Sequence, residues 1–142
     1  MNNCSGALEP FLLYQDSSTE GKKSYAFPRD IIKDLNLDSL KFALLLTCET
    51  GLDYSETHIS QNKPVNIVEQ MVCRGAGTVV GFSEITYVSD CNLLADDFFT
   101  ETIVNGKSVE DAMNDIDYDE EYLTDMSTID VIAGNGQLTL NN

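Results

Sequence analysis

Cys48 is the residue whose position best suits covalent chemistry. It follows the apolar segment 41–47 and precedes Glu49, Thr50 and Gly51. Because 41–47 has the pattern of a buried parallel strand, we expect Cys48 at its carboxyl end, where open α/β sheets place catalytic groups. A thiolate there is a nucleophile, and Gly51 would allow close approach of a substrate and free amides for an oxyanion. The alternative is that Cys48 is a small, inert hydrophobic residue, as free cysteines usually are.

A nucleophilic cysteine needs a base within hydrogen-bond distance. The single histidine of the chain, His58, lies ten residues after Cys48 in a polar stretch. A solvated surface residue is the more common role for such a histidine. Without a base the thiol stays mostly protonated near a pKa of about 8.5. We therefore expect the chain alone to be a poor catalyst, with His58 as a weak candidate for the base.

Two carboxylates are candidates for binding a basic side chain of a substrate. Glu84 lies just beyond the predicted strand Thr78–Phe82, at the same sheet edge as Cys48, and Glu49 follows Cys48 directly. A carboxylate pairs well with Lys or Arg at such a position. The alternative for both is a plain solvated side chain.

Three other motifs do not indicate a site. Cys73-Arg74-Gly75 copies a caspase signature but ends a predicted helix, so Cys73 is interpreted as a packing residue. The segment 115–119 starts like a calcium loop but lacks its glycine and glutamate, which favours a solvated acidic linker. The glycines of 75–81 have the wrong spacing for a dinucleotide fingerprint. We expect no metal and no cofactor.

The elements that must position these residues alternate between strand and helix, which indicates a single α/β domain over residues 1–142. Alternating and helical periodicities, with turn and cap residues, give the element bounds. The predicted strands are 9–14 and 25–27, joined as a hairpin, 41–47, 78–82, and 129–133 with 137–140, joined at Asn135-Gly136. The predicted helices are 28–35, 62–74, 87–104 and 109–116.

Charge and composition exclude several classes of function. The 142 residues carry a formal net charge of −16, and fourteen acidic residues against Lys107 alone lie between Glu84 and Asp130. Such a field repels phosphate backbones and anionic lipids, so neither nucleic acid nor a membrane surface is an expected partner. No apolar run is long enough to span a bilayer, and no signal peptide is visible. The four cysteines lack a paired spacing, which favours the cytoplasm.

The segment 44–51, LLLTCETG, resembles the catalytic-cysteine strand of the CHAT-type, caspase-like cysteine peptidases, the group that includes separases and gingipains. Residues 75–81 resemble the next helix end and strand of that family, and 88–99 resemble its following helix. Residues 105–112 resemble its G-K-S-x-x-x-A helix start, and 134–140 its closing G-D-P-x-L-x-L segment, with Asn-Gly in place of Asp-Pro. The resemblance covers about residues 8 to 140.

The resemblance implies a small, mostly parallel sheet flanked by helices and a cysteine endopeptidase activity on proteins or peptides. In the family a Cys thiolate attacks the scissile carbonyl and backbone amides stabilise the oxyanion, so Cys48 and its amide take these roles. The base is a His on a preceding strand. A caspase-type His lies about 50 residues upstream of the Cys, and that count passes Met1. The His-bearing strands are therefore expected from a segment outside this chain.

The alternative is a catalytically inactive, truncated homologue that serves as a binding or regulatory module. A third possibility is an acidic binding protein that shares only the architecture. If strand 41–47 lacks a neighbour, its edge leaves backbone donors and apolar side chains uncovered. We then expect association with the missing upstream segment, with a partner chain or with a second copy.

Overall fold

The computed structural model describes residues 12–15, 23–26, 36–47, 50–52 and 66–141. The described strands are β1 Leu12–Gln15, β2 Lys23–Ala26, β3 Phe42–Leu44, β4 Thr78–Phe82 and β5 Asp130–Gly134. The described α-helices are α1 Ile67–Cys73, α2 Val88–Phe99 and α3 Val109–Asp115. A π-helical turn, Thr100–Val104, continues α2, and a 3-10 turn, Met126–Thr128, precedes β5.

Strands β1 and β2 form an antiparallel hairpin with Leu12 opposite Ala26 and Gln15 opposite Lys23. This confirms the predicted hairpin, with each strand displaced by one to three residues from its predicted bounds. The predicted helix 28–35 lies outside the described residues.

The main sheet has the order β3-β4-β5. Strand β3 runs parallel to β4, with Ala43 opposite Val79, and β5 runs antiparallel to β4, with Ala133 opposite Val79. The described part of the chain is therefore α/β with a small mixed sheet. The predicted mostly parallel sheet is not confirmed, because β5 runs antiparallel to β4.

Helices cover both faces of this sheet. On one face, α1 packs Val68 against Val79 of β4, together with Ala76. On the other face, Val80 and Phe82 of β4 share a core with α2 and α3, whose buried members are Leu94, Phe98, Val109, Ala112 and Met113. The three layers leave β4 as the buried centre of the sheet.

The two parallel strands differ in burial. All five residues of β4 are buried, whereas Phe42, Ala43 and Leu44 of β3 are only half-buried. The prediction that segment 41–47 is buried on both faces is therefore wrong for β3. The physical reason is that β3 pairs with one strand only among the described residues, so it forms an edge.

The helices begin and end at the signals that the sequence carries. The Asn66 side chain accepts from the Glu69 amide at 2.9 Å to start α1, and Gly75, with φ of 110°, follows its end. The Ser108 hydroxyl accepts from the Asp111 amide at 3.2 Å, so α3 starts at Val109, the predicted first residue of this helix. The predicted helix 87–104 is confirmed as an α-helix to Phe99 followed by the π-helical turn.

The predicted hairpin between 129–133 and 137–140 is wrong. Strand β5 pairs with β4 instead, and the Asn135 amide donates to the Gly77 carbonyl at 3.1 Å. The following residues reach α3, where the Val109 amide donates to the Leu138 carbonyl at 2.9 Å. The Asn135-Gly136 pair favours a hairpin locally. Pairing with β4 instead gives β5 five paired residues, and Leu138 then packs against the apolar core.

None of the described helices is long and apolar enough to cross a membrane.

Candidate functional site

The carboxyl ends of β3 and β4 lie at one edge of the sheet, because the two strands are parallel. Beyond β3, the Leu45 amide still donates to the Val80 carbonyl at 2.8 Å, and the Thr47 amide donates to the Leu45 carbonyl at 2.9 Å. The chain leaves the sheet at this point. We call the residues that surround it, Thr47, Thr50, Gly51, Ser83 and Glu84, the carboxyl edge.

Thr50 joins three elements at the carboxyl edge. Its carbonyl accepts from the amides of Ile67 and Val68 at the start of α1, at 3.1 and 3.3 Å. Its hydroxyl Oγ1 accepts from the Phe82 amide at 3.2 Å and donates to the Thr47 carbonyl at 3.5 Å. The side chain is only 1% exposed. These bonds fix the turn that follows β3 against both β4 and α1.

Two glycines allow this turn to pack closely. A Cβ atom at Gly81 would lie 2.4 Å from Thr50 Oγ1 and 2.5 Å from Val68 Cγ2. A Cβ atom at Gly51 would lie 2.6 Å from Val131 Cβ, and the Gly51 amide donates to the Phe82 carbonyl at 2.8 Å. Gly51 therefore packs against β5 and uses its amide inside the fold, so that amide is not free to hold an oxyanion.

Cys48, Glu49 and His58 lie outside the described residues. The structure places both flanks of Cys48, Thr47 and Thr50, at the carboxyl edge. The predicted nucleophile, its amide as oxyanion donor, and the roles of Glu49 and His58 stay predictions.

Glu84 follows the end of β4 at the same edge. The Ser83 amide and hydroxyl both donate to the Ile129 carbonyl, at 2.9 and 3.2 Å, and this fixes the direction in which the chain leaves β4. The Glu84 side chain is exposed. Its location therefore agrees with the prediction, whereas its pairing with a basic substrate stays a prediction.

The cysteines do not all behave as the sequence indicated. Cys73 is disulfide-bonded, and its partner lies outside the described residues. The interpretation of Cys73 as a packing residue alone is therefore wrong, because spacing along the chain does not report which cysteines meet in space. Cys91 is free and buried. Since disulfides are rare in reducing compartments, the cytoplasmic location stays a prediction.

The acidic half beyond Glu84 uses some of its carboxylates within the fold. The Asp90 side chain is fully buried and accepts from the amides of Leu123 and Thr124 at 2.9 and 3.0 Å. The Tyr122 hydroxyl donates to Asp97 at 2.6 Å. Within the ranges that the structure describes, no group of His, Cys, Asp or Glu side chains has the arrangement of a metal site.

Burial and neighbouring charges shift the pKa of several groups in this half. Burial, with the Asp125 carboxylate nearby, raises the pKa of Asp130 to about 6. Hydrogen bonds from Lys107 and Asn105 lower the pKa of Glu101. Bonds to Glu101 and Asp115 raise the pKa of Lys107. The acidic half therefore carries a net negative charge at neutral pH, and its one lysine, Lys107, forms ion pairs with Glu101 and Asp115.

Sequence reasoning did not identify Thr50 or Gly81 as residues that position the candidate site. Gly81 had a signal, because a glycine inside a strand of otherwise apolar and β-branched residues often marks close approach of another backbone segment. Thr50 had no such signal, since its partners Ile67, Val68 and Phe82 lie 17 to 32 residues away in the chain.

In comparison with known proteins, no family model, no curated protein and no solved structure matches this chain.

Proposed function

We propose that this chain is the nucleophile-bearing part of a cysteine endopeptidase with a caspase-like, mostly parallel α/β architecture. The observation that supports it is the location of Thr47 and Thr50, the two flanks of Cys48, at the carboxyl edge. That edge is where open α/β sheets place catalytic groups. The resemblance of segment 44–51 to the catalytic-cysteine strand of CHAT-type peptidases supports the same assignment.

In this proposal the Cys48 thiolate attacks the carbonyl carbon of the scissile peptide bond. The carbonyl oxygen becomes an oxyanion that the Cys48 amide stabilises. A His base, which has taken the proton of the thiol, gives it to the amine as the C–N bond breaks, and a thioester remains on Cys48. Water hydrolyses the thioester, which releases the acyl group as a carboxylic acid and restores the thiol. Because the Gly51 amide is bonded to Phe82, the amide of Cys48 is the donor that we assign.

The His base is proposed to come from a segment outside this chain that pairs with the free side of β3. This strand is half-buried and has one partner strand among the described residues. A further parallel strand there would complete a mostly parallel sheet and bring its carboxyl end to the carboxyl edge. Glu84, exposed at that edge, is the described carboxylate that suits a Lys or Arg of the substrate.

A second candidate is a catalytically inactive homologue that binds or regulates another protein. Two observations favour it. The single histidine of the chain, His58, follows Cys48 in the sequence, whereas the base of the peptidase family precedes its Cys. The acidic half also carries exposed apolar side chains, such as Val88 and Val104, that an enzyme of this kind does not need for chemistry.

The two candidates differ in the reactivity of Cys48. A peptidyl electrophile with Arg next to its reactive carbonyl would be added after mild reduction, because Cys73 is disulfide-bonded. Two proteins would be compared: the chain alone, and a longer protein in which the segment encoded upstream of Met1 is joined to it. The endopeptidase requires labelling of Cys48 at least about tenfold faster in the longer protein than in the chain alone, since a positioned base contributes 10²-fold or more to rate.

Matched variants separate the roles of the two residues. Cys48→Ser should abolish the fast labelling, and Glu84→Gln should slow it for the Arg electrophile but not for one that carries norleucine. Equal rates of Cys48 labelling in the chain alone and in the longer protein would exclude the endopeptidase and leave the binding module.

A further inference from the structure

Helix α2 carries a second apolar stripe besides the one that it buries. Its buried stripe consists of Cys91, Leu94 and Phe98, which face the sheet. The second stripe consists of Val88, Ala95, Phe99 and Ile103, and Val104 lies beside it on the π-helical turn. Spacings of three and four residues place the members of each stripe on one side of a helix. We call the second stripe with Val104 the exposed α2 face.

Four of the five side chains of the exposed α2 face are open to solvent, and Ala95 is half-buried. Val88 is 78% exposed, Val104 75%, Ile103 47% and Phe99 44%. A shallow groove of about 470 Å³ runs along the helix, lined by Ala95, Asp96, Phe99, Thr100, Ile103 and Val104. Contiguous exposed apolar surface of this kind is typical of interaction sites.

Carboxylates border this groove on one side. Thr100 also lines a neighbouring cavity of about 350 Å³, whose wall includes Asp97, Glu101, Asp115, Asp117, Asp119 and Glu121. Lys107 is the one basic residue between 84 and 130, and it pairs with Glu101 at 2.6 Å and Asp115 at 3.1 Å. The apolar groove therefore lies beside a wall with a large excess of negative charge.

The charge determines which occupant fits. A second copy of the chain would bring the same carboxylates against each other and would add its own net charge of −16. Such like-charge juxtaposition opposes association. A segment that carries apolar residues flanked by Lys or Arg would bury its apolar side in the groove and pair its basic residues with the acidic wall.

We propose that the exposed α2 face binds an amphipathic helix of a partner protein, whose apolar stripe is bordered by Lys and Arg. Ridges of its apolar side chains would pack between those of Phe99 and Ile103, as in other helix-in-groove complexes. Its basic residues would meet Asp117, Asp119 and Glu121, which are exposed. This inference does not depend on Cys48 and holds for either function proposed above.

The test uses the full chain and a fluorescent probe peptide with Leu at i, i+3, i+4 and i+7 spacing and Lys elsewhere. Two control peptides accompany it: one with the same composition in scrambled order, and one with Glu in place of Lys. Fluorescence anisotropy should give a Kd for the first peptide at least about tenfold below that of either control. The scrambled peptide lacks the apolar stripe, and the Glu peptide lacks the positive charge.

The double variant Ile103→Ser, Val104→Ser should raise the Kd of the Leu/Lys peptide at least about tenfold. Val88→Ser provides a second variant of the same face at the other end of the helix and should raise the Kd about threefold. Leu123→Ser is the matched control, since Leu123 is 67% exposed but belongs neither to the exposed α2 face nor to the groove. Its Kd should stay within about twofold of that of the unchanged chain.

Three results would overturn the proposal. The first is equal binding of the ordered and scrambled Leu/Lys peptides, which would indicate attraction by charge alone. The second is a Kd that none of the face variants changes while circular dichroism shows that they are folded. The third is a dimer in light scattering that the double variant dissociates, because a second copy would then be the occupant.

Discussion

The carboxyl edge and the acidic half of the molecule are stabilised by different kinds of contact. At the carboxyl edge, the Thr50 carbonyl and hydroxyl and the Gly51 amide form bonds with β4 and α1, and glycines allow close packing. In the acidic half, carboxylates accept from backbone amides, as Asp90 does from Leu123 and Thr124. One region depends on backbone geometry and the other on ionisable side chains.

This difference shows that the acidic residues beyond Glu84 are not one solvated surface. Asp90 is fully buried and Asp130 is half-buried, whereas Asp117 and Glu121 are exposed. The solvated acidic linker predicted for 115–119 agrees with the exposure of Asp115, Asp117 and Asp119, and the buried or half-buried carboxylates lie outside that segment. Substitutions in the two regions should accordingly differ in size and in their dependence on pH.

The largest effect is expected for Asp90→Ala. The substitution leaves the amides of Leu123 and Thr124 without their acceptor in a partly buried location. We expect the free energy of unfolding to fall by about 3 kcal/mol, since a buried unpaired donor costs about 1–3 kcal/mol. Urea unfolding followed by circular dichroism measures this free energy. The control is Asp96→Ala, at an exposed position on the same helix, which should change the free energy of unfolding by less than about 0.5 kcal/mol.

Gly81→Ala tests the close packing at the carboxyl edge. Its new Cβ would lie too close to Thr50 Oγ1 and Val68 Cγ2, so the free energy of unfolding should fall by about 2 kcal/mol. Gly136→Ala is the matched control, because its Cβ would come under 3 Å only to the Glu110 carboxylate, which can move, and would lie 3.3 Å from Glu110 Cβ. Equal unfolding curves for the two variants would show that Gly81 is not required by packing.

Thr50→Val tests the hydroxyl that links the turn to β4. Valine keeps the shape but removes the acceptor of the Phe82 amide, so the free energy of unfolding should fall by about 1.5 kcal/mol. Hydrogen exchange at the Phe82 amide should become faster. Thr50→Ser keeps the hydroxyl and should keep the protection of that amide. Unchanged protection in Thr50→Val would assign the amide another partner.

The smallest effect is expected for Asp130→Asn, and it depends on pH. Because the folded protein raises the pKa of Asp130 from 3.8 to about 6, the folded state binds the proton more tightly than the unfolded state. The stability from this group is therefore complete below pH 3.8 and is lost as the pH rises to about 6.

At pH 7, Asp130→Asn should be more stable than the unchanged chain by about 1 kcal/mol, after allowance for solvent screening of a half-buried group. The advantage should disappear near pH 4. Urea unfolding at both pH values measures it, with Asp117→Asn as a control that removes the same charge from an exposed position. An advantage for Asp130→Asn that is equal at both pH values would exclude the raised pKa as its cause.

Local signals in the sequence predicted most of the described elements. Strand β4 matches its predicted bounds, α2 with its π-helical turn covers the predicted helix 87–104 from Val88 onward, and Ser108 starts α3. These elements depend on periodicity and on caps, which involve residues a few positions apart. For the candidate site, the sequence predicted the edge at which Glu84 and the flanks of Cys48 lie, but not the bonds of Thr50.

The sequence by itself determined the location of strands, helices and charge, because each is recorded in neighbouring residues. The tertiary structure alone decided the pairing of β5 with β4, the bonds of Thr50 to Phe82 and Ile67, and the burial of Asp90. Each of these joins residues that are far apart in the chain, and periodicity carries no record of such contacts. The physical reason is that long-range partners are selected by the core as a whole, through burial and satisfied hydrogen bonds.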